Sequence, residues 1–165
     1  MACAPLSQYA AAVFSDYFLT WTTYGTWIPG DDRGSFINDR IEGPGLSRRK
    51  DHLRISSSDR LTQDPFVLDD RARGLVGSAI REHAAHNRWP VLALNVRTNH
   101  VHLVLKTDRP PERLMNGMKA WSTRALREHG VVDADRRVWT RHGSTRHLHT
   151  LESLHRAIRY VNECQ

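Results

Sequence analysis

Asn99-His100-Val101-His102-Leu103-Val104-Leu105 places two imidazoles one residue apart, ahead of an apolar run. On a strand, successive side chains point to opposite faces. His100, His102 and Val104 then share one face, and Val101, Leu103 and Leu105 the other. Two imidazoles side by side can hold one divalent metal. With a third ligand from elsewhere, coordination positions stay open for a phosphate oxygen. A His-x-His strand is a weak signal alone, so the surrounding elements must decide its meaning.

Those elements can be taken in chain order. Residues 1–15 form a lead-in, and Tyr17–Tyr24, rich in aromatic and β-branched residues, predicts a strand ending at Gly25. Residues 25–64 form a long polar loop carrying Arg48-Arg49-Lys50. Phe66 to Asn87 is mostly helix, with Leu75, Val76, Ala79, Ile80 and Ala84 as its apolar stripe and Asp69-Asp70 in its first turn. Trp89–Arg97 is a strand that turns through Thr98-Asn99 into the histidine strand. The hairpin's buried face combines Leu92, Leu94 and Val96 with Val101, Leu103 and Leu105. Its other face displays Asn95, Arg97, His100 and His102.

After Pro110-Pro111, a helix runs to about His129, striped by Leu114, Met115, Met118, Trp121, Ala125 and Leu126 and stopped by Gly130. Arg113, Arg124 and Arg127 gather on its opposite side. Val138–His142 reads as a fourth strand and Gly143–Arg146 as a turn. A last helix, Glu152 to Cys164, carries Leu151, Leu154, Ile158 and Val161 as its stripe, with Tyr160 about 100° round from Val161. The order strand, helix, strand, strand, helix, strand, helix predicts an α+β, ferredoxin-like sandwich. It has a four-stranded antiparallel sheet with helices on one face. The C-terminal helix with the tyrosine can then lie on the open face, beside the histidines.

At 165 residues the chain suits a single domain, 1–165. Its net charge of +6 points to a polyanionic partner, nucleic acid first. Cys3 and Cys164 form no Cys-x-x-Cys spacing, which argues against a disulfide framework or zinc ribbon and for a reducing, cytoplasmic setting. Nothing in the sequence reads as a secretion signal or membrane span.

Thr98–Leu105, followed by a terminal helix with Tyr160, resembles the HUH single-tyrosine transposases, both REP-associated and small insertion-sequence types. Thr22–Asp31 and Trp139–Arg146 are similar to REP-associated-like members, and the resemblance covers most of residues 17–165. It implies a transposase/endonuclease that cuts single-stranded DNA beside a hairpin, REP-like or at an insertion-sequence end, and rejoins it. By that resemblance His100 and His102 hold Mg²⁺ or Mn²⁺, and Tyr160 attacks to give a 5′-phosphotyrosine and a free 3′-hydroxyl. The family's third ligand, Gln or Asn, stands four residues after the tyrosine. Cys164 occupies that place here and Gln165 follows it. Gln165 is the candidate third ligand if the helix loosens at its end, with Asn162 and Glu163 as fallbacks.

Arg97, Arg113, Lys119, Arg124 and Arg127 are candidates for gripping DNA phosphates in a cytoplasmic, nucleoid-associated enzyme. A second pair, His147-Leu148-His149, lacks a following apolar strand and ranks as surface or DNA-contacting. Members of the family work as dimers exchanging tyrosine helices or as monomers, so a homodimer stays open. Three rivals stand beside this reading. They are a domesticated, non-catalytic binder of structured DNA, a replication-initiator or relaxase-type nickase, and a protein with a structural zinc.

Overall fold

The computed structural model describes residues 14–26 and 61–163. The polar stretch with Arg48-Arg49-Lys50, most of the 1–15 lead-in, Cys164 and Gln165 lie outside the described residues. The elements are β1 (Ser15–Thr22), α1 (Asp70–His86), β2 (Val91–Val96), β3 (His100–Thr107), α2 (Pro111–Glu128), β4 (Ser144–His147) and α3 (Leu151–Glu163). The four strands form one antiparallel sheet in the order β2-β3-β1-β4, the expected ferredoxin-like arrangement.

Alternation divides the sheet into two faces. Leu19 and Trp21 of β1 and Val101, Leu103 and Leu105 of β3 are fully buried against α1 and α2. They meet Val76 and Ile80 from α1 and Leu114, Met118 and Leu126 from α2. Each such side chain contributes roughly 1.5–3 kcal/mol on burial. The other face carries a smaller apolar cluster, in which Ala93 and Val104 of the sheet and Leu148 meet Ala157 and Val161 of α3. Phe18, Leu154 and Ile158 border it. The C-terminal helix thus lies on the face opposite α1 and α2.

Local chemistry sets the helix ends. The Asp69 carboxylate accepts the Ala72 amide at 2.7 Å, so Asp69 caps α1 from outside its first turn. Pro111 opens α2, where a missing N–H costs nothing. Gly130, at φ +66°, carries the chain out of α2 in a backbone region that favours glycine. At the start of α3, the Thr150 hydroxyl accepts the Ser153 amide at 3.1 Å, and Ser153 Oγ accepts the Thr150 amide at 3.2 Å.

Three expectations need correction. The fourth strand is Ser144–His147, beginning inside the Gly143–Arg146 stretch expected to turn, and residues 138–142 give only an isolated bridge, Trp139 to Thr23. The reason is Gly143, whose missing side chain lets the backbone pass close to Met115 and to the Thr20 carbonyl before pairing with β1. Leu92 is not part of the buried hairpin face: the β2–β3 register shifts between Val91 and Ala93, which leaves Leu92 exposed and Val91 packed on the core. Trp121 of α2 and Leu151 of α3, both expected in the apolar stripes of their helices, are 45% and 73% exposed. No helix among the described residues is long and apolar enough to cross a membrane.

Candidate metal and tyrosine centre

His100 and His102 lie on the α3 face of β3, with ring centroids 4.6 Å apart. The His100 Nδ1–H donates to the Asn99 side-chain carbonyl at 2.7 Å, which puts that ring's lone pair on Nε2. His102 Nδ1 meets the Thr20 hydroxyl at 2.9 Å, across the β1–β3 pair in which the two residues are direct partners. Both rings therefore have their orientation set by a neighbour. Such outer contacts fix the tautomer and aim of a metal-binding histidine.

Burial, then the neighbouring His100 and Arg97, lower the His102 pKa from 6.5 to about 4. At neutral pH the ring is uncharged, the form that can donate a lone pair to a metal. Two imidazoles of fixed orientation, that of His102 uncharged, suit a divalent ion. Among the described residues, no group of three or more His, Cys, Asp or Glu could hold one. A third ligand must come from another residue type, from outside the described residues or from solvent and substrate.

Tyr160 meets this pair from α3. Its ring packs edge-on against His102 at 5.4 Å and against Phe18 at 5.9 Å. It remains 46% exposed, so the ring is only partly covered by these contacts. Asn95 on β2 holds the helix end in place, its side-chain amide donating to the Val161 carbonyl at 3.0 Å. That bond satisfies one of the carbonyls a helix leaves without an internal partner, next to the tyrosine.

The basic candidates separate into groups. Arg97 stands opposite His100 where the hairpin closes, and its amide donates to the His100 carbonyl at 2.8 Å. Arg113, Arg124 and Arg127 are exposed on α2, on the far side of the sheet from Tyr160. Arg124 pairs with Glu128 at 2.7 Å, and Arg127 donates to the Ala134 carbonyl at 2.6 Å. Lys119 does not share their exposed face. It is buried, and Nζ donates to the Thr140 and His142 carbonyls at 3.0 and 3.1 Å, with its pKa lowered by burial to about 8. It pins the segment entering β4. Histidines 147 and 149 sit with ring centroids 3.9 Å apart at the sheet's edge, where His147 stacks on Tyr17.

Four residues at the centre had no role assigned from the sequence. Thr20 and Phe18 share the histidine face of β1, Asn95 anchors α3, and Arg146 stands opposite Phe18 on β4. Period-two alternation from Phe18 to Thr20 to Thr22 was the available signal for the first two. Arg146 was hidden because its strand read as a turn.

A ferredoxin-like sheet thus carries a histidine pair on one face, and the helix that crosses this face sets Tyr160 against His102. The model of the family described as IS200-like transposase matches residues 63–162, and the chain belongs to that family. Among solved structures, it is similar to a REP-associated tyrosine transposase bound to a REP hairpin, at 11% identity and a TM-score of 0.53. That match covers 89% of this chain and 64% of the other, so the chain spans under two thirds of that protein's length. It is also similar to a Deinococcus radiodurans R1 protein with a provisional transposase assignment, at 14% identity and a TM-score of 0.51, covering 98% and 96% of the two chains. At these identities the likeness establishes the fold. Comparison with curated proteins finds no match.

Proposed function

We propose that this protein is a transposase that cuts and rejoins single-stranded DNA beside a hairpin, with Tyr160 as nucleophile. The observation that carries the reading is the packing of Tyr160 on His102, which joins two residues far apart in sequence on one open face. The Tyr160 hydroxyl gives up its proton, and its oxygen bonds to phosphorus while the bond from phosphorus to the 3′ oxygen breaks. The products are a 5′-phosphotyrosine and, once that oxygen takes a proton, a 3′-hydroxyl. Rejoining is the reverse attack by a 3′-hydroxyl, so no external energy source is required. His100 and His102, with Gln165 as candidate third ligand, would hold Mg²⁺ or Mn²⁺, which draws charge from the phosphate oxygens.

A DNA hairpin as partner agrees with the positive net charge and with the REP hairpin bound by the similar structure. Arg97 lies close enough to the histidines to meet the cut strand, whereas Arg113, Arg124 and Arg127 would meet DNA that wraps the helical face. Because Tyr160 rests on a histidine of its own chain, the reading favours a site complete within one protomer, working in the cytoplasm near the nucleoid.

The test is a denaturing gel of protein with labelled single-stranded hairpin oligonucleotides and Mn²⁺. We expect a covalent protein–DNA band that is lost in both Tyr160→Phe and His100→Ala. A band that persists in Tyr160→Phe would overturn the nucleophile. Cys164, standing where the family's Gln or Asn is expected, favours one second reading, a non-catalytic binder of structured DNA. Tight hairpin binding without any band would select it.

A further inference from the structure

We infer that Arg146 holds a phosphate of the single strand on the far side of Tyr160 from the helix, and so positions the strand for attack. The inference rests on the DNA-cutting reading above and adds a residue to it. Three placements carry it. First, Arg146 is the direct partner of Phe18 in the β1–β4 register, so both side chains leave the same face of the sheet. Phe18 is the residue whose ring touches both Tyr160, at 5.9 Å, and His102, at 5.5 Å. Second, the face is fixed independently by Leu148, two residues along from Arg146 and buried with Val104, Ala157 and Val161 under α3. Third, α3 lies over β2 and β3, and the β1–β4 side of the face carries Thr20, Thr22 and Ser144, half-buried, and Arg146, exposed.

These residues share one face of the molecule. Tyr160 comes from α3, Phe18 and Thr20 from β1, the histidine pair from β3 and Arg146 from the edge strand β4. Among the described residues Arg146 makes no ion pair, unlike Arg124 and Arg156, each paired with a glutamate on its own helix. A planar guanidinium with five donors suits a phosphate better than an ammonium does, and its contact fixes register without reading bases. A strand laid across this face would present one phosphate to Tyr160 and a neighbouring one to Arg146.

The experiment measures binding of an oligothymidylate single strand to the full chain without divalent metal, across a salt series, for wild type, Arg146→Ala, Arg146→Lys and Arg81→Ala. Arg81 is exposed on α1, behind the sheet, and serves as the control. Arg146→Ala should weaken binding about tenfold and lower the salt slope by about 0.7, the loss of one single-strand phosphate contact. Arg146→Lys should keep the slope, and Arg81→Ala should change neither quantity. With a hairpin oligonucleotide that forms the covalent band, Arg146→Ala should raise the half-saturating DNA concentration and also slow the saturated rate, with Arg146→Lys nearer wild type in both. Equal affinity and slope in Arg146→Ala and wild type, or an equal loss in Arg81→Ala, would overturn the assignment. So would a loss confined to a duplex probe. Because binding is read without cleavage, a missing covalent band tells against the DNA-cutting reading, and an unchanged slope tells against Arg146.

Discussion

The Thr20 hydroxyl meets Nδ1 of His102 at 2.9 Å, from the position directly across the β1–β3 pair. With the proton on Nδ1, the ring's lone pair lies on Nε2 and its plane is fixed by a residue that itself binds nothing. Thr20→Val keeps the β-branched shape and removes that partner. The expected outcome is a loss of Mn²⁺ affinity of about 10- to 100-fold, with Thr20→Ser close to wild type. Titration calorimetry checks it, and equal affinities for Val and Ser would remove Thr20 from the centre.

Asn95 makes a separable prediction. Its amide holds the Val161 carbonyl, one residue beyond Tyr160, and it stands directly across from His102, so Asn95→Ala frees the end of α3 while keeping the Asn99 and Thr20 contacts that orient the two histidines. A hydrogen bond of this kind contributes about 0.5–1.5 kcal/mol net, a modest fall in overall stability. The rate of covalent adduct formation should fall by a larger factor than that, because the tyrosine loses its fixed approach. Mn²⁺ affinity should hold. Adduct rate and stability falling in proportion would show that Asn95 acts only on folding.

Much of this arrangement was legible in the residues themselves. The His100–Leu105 alternation placed both histidines on one face, and the apolar stripe of the last helix brought Tyr160 to them, because periodicity reports which side of an element is buried. Fold class followed from the succession of elements. What failed were features that depend on tertiary contact. A backbone passing close to Met115 at Gly143 cannot be seen in a Gly-Ser-Thr run that reads as a turn, and the exposed β4 offers no apolar alternation to contradict it. The register shift that turns Leu92 outward is likewise set by pairing with β3. Lys119 is the instructive polar case, for its burial depends on two carbonyls from a segment about twenty residues away.

Acid stability should report on His102. Its pKa in the folded chain is about 4, below the ordinary 6.5 it regains on unfolding. Between those values the unfolded chain binds more protons than the folded one, so stability rises with pH through the window and is lost as pH falls from about 6.5 towards 4. Above 6.5 the contribution is complete. Urea titrations at a series of pH values should show this slope in the wild type and a shallower one in His102→Gln. Parallel slopes in the two proteins would assign the acid sensitivity to other groups.

Gly143 links the fold to the centre. A Cβ at this position would lie 2.6 Å from the Thr20 carbonyl oxygen and 2.5 Å from Met115 Sδ, both inside contact distance. The methionine end can swing away, but the carbonyl belongs to β1 and moves only with the strand. Gly143→Ala should therefore cost about 1–3 kcal/mol of stability, the usual range for overpacking. The strain falls on the residue whose hydroxyl orients His102, so Mn²⁺ affinity should drop as well. Adding Met115→Ala removes only the yielding half of the clash. Met115 is itself buried in the core, so the double variant should be less stable still and should recover little of the metal affinity. Full recovery of that affinity would mean that the methionine, and not the Thr20 backbone, sets the need for glycine.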